Sequence, residues 1–149
     1  MGKSKNRNCN SKIKYSEKDL CSINLLNIQA IGFILLAYGS YILYVSTMEG
    51  IELINRRYYN VPGPDPTPDA TGLTGTEILL FSQFLLTYVA NSQYNNKLRD
   101  YDPTNIYDTI IPEYYFNLAG LFSLAGDLFG VIAAKSLYDH DFTVPIFGQ

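Results

Sequence analysis

The sequence predicts an all-α integral membrane protein with three transmembrane helices, and this prediction rests on how charges are spaced along the chain. No Asp, Glu, Lys or Arg occurs from Leu20 to Met48, or from Ile78 to Asn96. A third stretch, Tyr114 to Ala134, contains Asp127 as its one charged residue. Crossing the hydrocarbon core of about 30 Å takes roughly 20 mostly apolar residues. We therefore predict spans at residues 23–46, 78–94 and 115–137.

Composition narrows the classes of protein to consider. The 149 residues allow one domain, predicted to cover residues 16–149. The net charge of -3 leaves no basic face to neutralise phosphates, so no nucleic-acid partner is expected. Tyr and Phe are frequent and Trp is absent, a bias typical of AT-rich genomes that favours a bacterial origin. A soluble helical bundle with long apolar helices is the alternative fold.

The regions around the first span differ in character. Residues 1–15 are polar and basic, and we predict a disordered tail. The segment from Ser16 to Asp19 has the hydroxyl cap and the first-turn acids of a helix start. After Met48, Ile51 and Tyr58 lie at helical spacing among charges, which predicts an amphipathic extension of helix one or a solvated helix end.

Prolines mark the predicted linker between the first two spans. Asn60 to Thr76 contains four prolines, which cannot continue a helix. The spacing of Thr74 and Glu77 is that of a capping box, so helix two is predicted to begin near Ile78 and to end near residue 91. A polar loop follows, and a third helix is predicted from about residue 112 to about residue 137.

The placement of Lys and Arg predicts the orientation in the plasma membrane. The two loops between the predicted spans carry two basic residues each, so the orientation is determined by the N-terminal segment. Its basic residues are Lys3, Lys5, Arg7, Lys12, Lys14 and Lys18. By the positive-inside rule, the N-terminus is predicted to be cytoplasmic, and the proline-rich loop and the C-terminus to be outside.

Helix three carries a stripe of small residues at alternating steps of four and three. Its members are Ala119, Ser123, Gly126, Gly130 and Ala133. At 100° per residue they share one face, and in lipid a face of small side chains lets two helices approach closely. We therefore predict a helix–helix contact through this stripe, either within the chain or between copies.

Asp127 lies beside the stripe, within the third predicted span. A carboxylate at the centre of a bilayer costs about 2.5–3.5 kcal/mol on insertion scales, so it should be paired, hydrated or protonated. The candidate partners are uncharged: Gln83 on helix two, Gln29 on helix one, and Asn117. The two interpretations are a proton or cation site and a polar clamp between helices.

Catalytic chemistry is not expected of this chain. It has a single histidine, His140, and no phosphate-binding or dinucleotide-binding glycine motif. No cofactor or metal site is predicted, because Asp139, His140 and Asp141 are adjacent and cannot close a tetrahedral site by themselves. We expect a non-enzymatic membrane protein that acts through helix assembly, with itself or as an accessory subunit. The alternative is a transport or ion-permeation component that uses Asp127.

Overall fold

The computed structural model describes residues 16–105 and 108–139. In these residues it is all-helical and contains no strand. The helices are α1 (Glu17–Tyr59), α2 (Pro68–Asp100) and α3 (Ile111–Asp139). Each is long and apolar enough to cross a membrane. The predicted disordered tail at residues 1–15 and the His140 region lie outside the described residues.

The start of α1 agrees with the sequence. Ser16 Oγ accepts a hydrogen bond from the Asp19 amide at 3.1 Å, and the Asp19 carboxylate accepts one from the Ser16 amide at 3.3 Å. This reciprocal capping box satisfies two amides that the first turn leaves without partners. The helix then continues for 43 residues, a length of about 65 Å. The predicted extension after Met48 is therefore the same helix as the first span, and it ends where Asn60 adopts a left-handed conformation.

The linker after α1 is shorter than predicted, because α2 begins at Pro68 rather than near Ile78. Proline is tolerated in the first turn of a helix, where its missing amide would have no partner, and Asp69 favours the helix dipole. The hydroxyls of Thr74 and Thr76 donate to the carbonyls of Ala70 and Leu73 instead of capping a helix start. The predicted capping box is therefore wrong, since it lies inside α2.

The end of α2 also lies beyond its predicted position, at Asp100 rather than near residue 91. Residues 92–100 are polar but contain neither glycine nor proline, so nothing in the backbone stops the helix. Pro103 lies in the loop that follows the helix. The third helix begins at Ile111, beside the predicted start, with Pro112 in its first turn.

The helices run up, down and up, with α2 between the other two. At one end, Lys18 Nζ lies 2.5 Å from an Asp100 carboxylate oxygen; we call this the Lys18 end. At the other, the proline-loop end, Tyr138 of α3 lines a groove with Leu53 and Arg57 of α1. In the described residues, α2 packs against both neighbours, and no Cα of α1 lies within 8 Å of a Cα of α3.

The buried core is a seam between α1 and α2. Its residues recur every seven positions on both helices, which is the repeat of a coiled-coil contact. On α1 they are Leu25, Gly32, Gly39 and the half-buried Ser46, and on α2 they are Gly75, Ser82 and Val89. Most are small, so the two backbones approach closely along the seam.

Candidate functional site

The α1–α2 seam is built from glycines that face leucines of the opposite helix. A Cβ added at Gly32 would lie 2.8 Å from Leu86 Cδ2, and one added at Gly75 would lie 2.8 Å from Leu43 Cδ2. At Gly75 the added atom would also lie 3.2 Å from the backbone nitrogen of Leu43. Backbone cannot rotate away as a side-chain tip can, so Gly75 is hard to replace, and so is Gly39, whose added Cβ would lie 3.2 Å from the Gly75 carbonyl oxygen.

Two serine hydroxyls connect the helices across this seam. Ser82 Oγ donates to the Gly32 carbonyl oxygen at 2.7 Å, and Ser82 is fully buried. Ser46 Oγ donates to the Pro68 carbonyl oxygen at 2.8 Å, near the start of α2. Each hydroxyl bonds a backbone carbonyl of the facing helix, which is the kind of interhelical contact that membrane helices use.

A polar contact joins α2 to α3. Thr87 Oγ1 donates to the Gly120 carbonyl oxygen at 3.0 Å, and the Gln83 amide lies 3.4 Å from the same oxygen. Thr87 is ten residues from Glu77 and ten from Lys97, the two charges that bound the uncharged part of α2. This contact therefore lies at the middle of that uncharged stretch, about 15 Å from either charge.

The structure brings four of the predicted site residues together in one groove. A groove of about 320 Å³ separates α1 from α3 above the surface of α2. Gln29 lines it from α1, Gln83 from α2, and Ala119 and Ser123 from α3. The two glutamines thus share a site, although no hydrogen bond joins them within the described part of the chain.

The rest of the small-residue stripe faces outward. Apart from the nearby backbone of α3 itself, no described heavy atom would lie within 4 Å of a Cβ added at Gly126 or at Gly130, and Ala133 is exposed. Along all of Ile111–Asp139, which the structure describes, no residue is buried. These three residues therefore make no packed contact with another helix in the described part of the chain, and a contact between molecules stays a prediction.

Asp127 is half-buried on α3 and lies apart from both glutamines. Among the described residues its side chain makes no hydrogen bond or ion pair, and it does not line the groove of Gln29 and Gln83. It lies seven residues after Gly120, about 10 Å from the Thr87 contact towards the proline-loop end. On its own helix, Asp127 lies three residues from the midpoint of the stretch between Glu113 and Lys135.

A charged cluster fixes the turn between α2 and α3 at the Lys18 end. Lys97 forms an ion pair with Asp108, whose other carboxylate oxygen accepts the Asp102 amide at 2.9 Å. The hydrogen bond from Lys97 lowers the pKa of Asp108, and the same bond raises the pKa of Lys97. Asp102 in turn accepts from the Thr104 hydroxyl and amide, which lowers the pKa of Asp102. These bonds connect the end of α2 with Asp102 and Asp108 in the described part of the loop.

Sequence reasoning missed the seam between α1 and α2. The signal was present as the seven-residue spacing of Gly32, Gly39 and Ser46, matched by Gly75 and Ser82. The more obvious stripe on helix three drew the prediction instead. No protein-family model, curated protein or solved structure matches this chain.

Proposed function

We propose that this chain is a multi-pass membrane protein without catalytic activity that works through helix–helix assembly, with copies of itself or as an accessory subunit of a membrane complex. The observation that carries the proposal is the open face of α3. A Cβ added at Gly126 or Gly130 would meet no described atom of another helix within 4 Å, although close backbone approach is what small residues provide in lipid. In α2, by contrast, the same type of residue is packed against α1.

The proposed location is the plasma membrane, with the N-terminus in the cytoplasm and the C-terminus outside. Support comes from the three helices of spanning length and from the excess of Lys and Arg ahead of α1. A cysteine placed at Thr67 should then react with an impermeant maleimide on intact cells, and Cys9 should react only after the membrane is opened. The reverse labelling pattern would overturn this orientation.

Assembly is tested directly by purification in a mild detergent. The protein should remain in the membrane pellet through an alkaline carbonate wash, and after extraction its native mass should exceed that of one chain of 16.8 kDa. Co-eluting proteins would identify an accessory role, and a mass that is a multiple of the chain would identify self-assembly. A soluble monomer would contradict the proposal.

Ion permeation through Asp127 is the second candidate. Two observations favour it. The Asp127 carboxylate lies within a helix of spanning length, and among the described residues it makes no hydrogen bond or ion pair. Three helices enclose too little space for a polar path, so this function also requires several copies around a common axis. The two candidates therefore share the requirement for assembly and differ in whether Asp127 must titrate.

A further inference from the structure

The part of α1 beyond Met48 exposes apolar side chains where lipid tails cannot cover them. Four charged residues follow Met48 within nine positions: Glu49, Glu52, Arg56 and Arg57. So many charges exclude this part of the helix from the hydrocarbon core. Even so, Ile51 is 48% exposed and Tyr58 is 79% exposed.

The opposite side of this extension is already occupied. Ser46 bonds Pro68 at the start of α2, and Leu53 and Arg57 line a groove with the residues that lead into α2. Arg56 also donates to the Pro64 carbonyl oxygen at 3.0 Å, which holds the proline loop against the helix. The extension therefore packs against the proline loop and the start of α2, and the apolar side with Ile51 points away from those contacts.

Four of the exposed apolar residues, together with Asn55, follow the spacing of a coiled coil. Tyr44, Met48, Ile51, Asn55 and Tyr58 occur at alternating steps of four and three, and we call these five residues the α1 strip. A groove of about 410 Å³ runs along the strip, lined by its first four members and by Val45, Glu49 and Glu52. Such a groove is what a side chain of a facing helix fills in coiled-coil packing.

We infer that the α1 strip is a surface through which two copies of this chain dimerise, as a parallel coiled coil that starts at the end of the first span and continues beyond the hydrocarbon core. Copies inserted in the same orientation hold their α1 helices parallel and at the same height, so each residue of the strip meets its own counterpart. Asn55 then faces Asn55, and a single asparagine at such a core position favours a paired, in-register dimer. Glu52 beside the strip is paired with Arg56 at 2.6 Å, which reduces the repulsion between two copies at that position.

This inference rests on the proposed function, because it names the partner and the surface for assembly. It is tested by cysteine cross-linking of the full chain in its membrane, with both native cysteines changed to serine. Ile51→Cys and Asn55→Cys should each give a disulfide-linked dimer on oxidation with copper phenanthroline. Gly50→Cys is the matched control, because its Cβ would lie 4.0 Å from Pro68 Cβ on the side that faces α2, and it should give none.

The possible results distinguish dimerisation through the α1 strip from assembly through another surface. Co-expressed copies with two different tags should appear in one cross-linked band at twice the mass of the chain, and adding Ile51→Lys to the Asn55→Cys chain should remove that band. A cross-link to a protein of another mass would overturn a second copy as the occupant. Equal cross-linking at positions 50, 51 and 55 would overturn the strip. If the native mass still shows an oligomer while the strip gives no cross-link, this inference fails and the proposed function stands. If native mass and cross-linking both show a monomer, the inference and the proposed function are both wrong.

Discussion

The Ser82 hydroxyl donates a 2.7 Å hydrogen bond to the carbonyl oxygen of Gly32, and neither residue has a large side chain that would keep the two helices apart. The bond is possible because Gly32 presents bare backbone to α2. Leu86 of α2 covers the same glycine one turn further on, so the polar contact is enclosed by apolar atoms. Packing and hydrogen bonding thus depend on the same small residues.

Replacing Ser82 by alanine should weaken the α1–α2 hairpin modestly. The variant removes one interhelical hydrogen bond, and such bonds average about 0.6 kcal/mol in membrane proteins. Unfolding by detergent titration measures the change. Ser40→Ala is the control, because Ser40 Oγ bonds the Leu36 carbonyl of its own helix at 2.8 Å and is exposed. Equal losses for the two variants would show that the bond between helices contributes nothing particular.

Adding one methyl group should lower stability at the seam between α1 and α2 but not at the surface. Gly75→Ala places a Cβ 2.8 Å from Leu43 Cδ2 and 3.2 Å from the Leu43 backbone nitrogen, whereas Gly50→Ala meets nothing nearer than 4.0 Å. Both variants gain the same helix propensity, so the difference between their unfolding free energies reports packing alone. Overpacking costs about 1–3 kcal/mol, and we expect Gly75→Ala to be the less stable by that amount. Equal stabilities would contradict close packing at Gly75.

The positions of the helices were readable from the sequence because each uncharged stretch has the length of a membrane span. The start of α1 was readable as well, since Ser16 and Asp19 form a local contact that needs no other element. The start of α2 was not. Four prolines indicated a loop through Thr76, but Pro68 occupies the first turn of a helix, where proline is permitted.

The packed face between α1 and α2 was harder to predict, because a contact between helices depends on the residues of both helices and on how they are aligned. The stripe of Gly126 and Gly130 is visible within α3 alone, yet it faces open space in the single chain. The seam requires Gly32 to be matched with Leu86, 54 positions away, and this pairing depends on where the turn lies. The linker was predicted to be too long and the second helix too short, so the register between α1 and α2 could not be predicted.

The turn between α2 and α3 should loosen at both extremes of pH. The pKa of Asp108 lies below its ordinary value of 3.8, so its contribution is complete above pH 3.8 and is lost as the pH falls through the lowered value. The pKa of Lys97 lies above 10.5, so its contribution is complete below pH 10.5 and is lost as the pH rises through the raised value. Hydrogen exchange at the Asp102 amide, which donates to Asp108, measures the order of the turn.

The matched variants for this turn are Asp108→Ala and Asp100→Ala. The first should speed exchange at the Asp102 amide at neutral pH, because it removes the acceptor and the ion pair together. The second breaks the pair with Lys18 at the same end of the protein and should leave that amide protected. Comparable exchange in the two variants would mean that Asp108 does not hold the turn.

Asp127→Asn should distinguish the two candidate functions. Asparagine retains hydrogen-bonding capacity but cannot titrate, so assembly should be unchanged whichever function is correct. Loss of proton or cation flux in reconstituted vesicles, with native mass preserved, would support permeation. Unchanged behaviour in both measurements would leave Asp127 with a packing role at most and would remove the permeation candidate.

The sharpest prediction concerns the open glycines of α3. Gly126→Leu and Gly130→Leu should leave the single chain folded, because no described atom lies within 4 Å of either added Cβ. Both should nevertheless reduce assembly, because a side chain of that size forces the backbones of two contacting helices apart and removes dispersion contacts along them. Leu128→Phe serves as the control, since Leu128 is an exposed residue of the same helix that lies off the small-residue stripe. Native mass in mild detergent reports assembly, and circular dichroism reports the helix content of each variant. If both leucine variants assemble as well as Leu128→Phe does, α3 contributes no contact between molecules, and assembly must depend on another face of the chain.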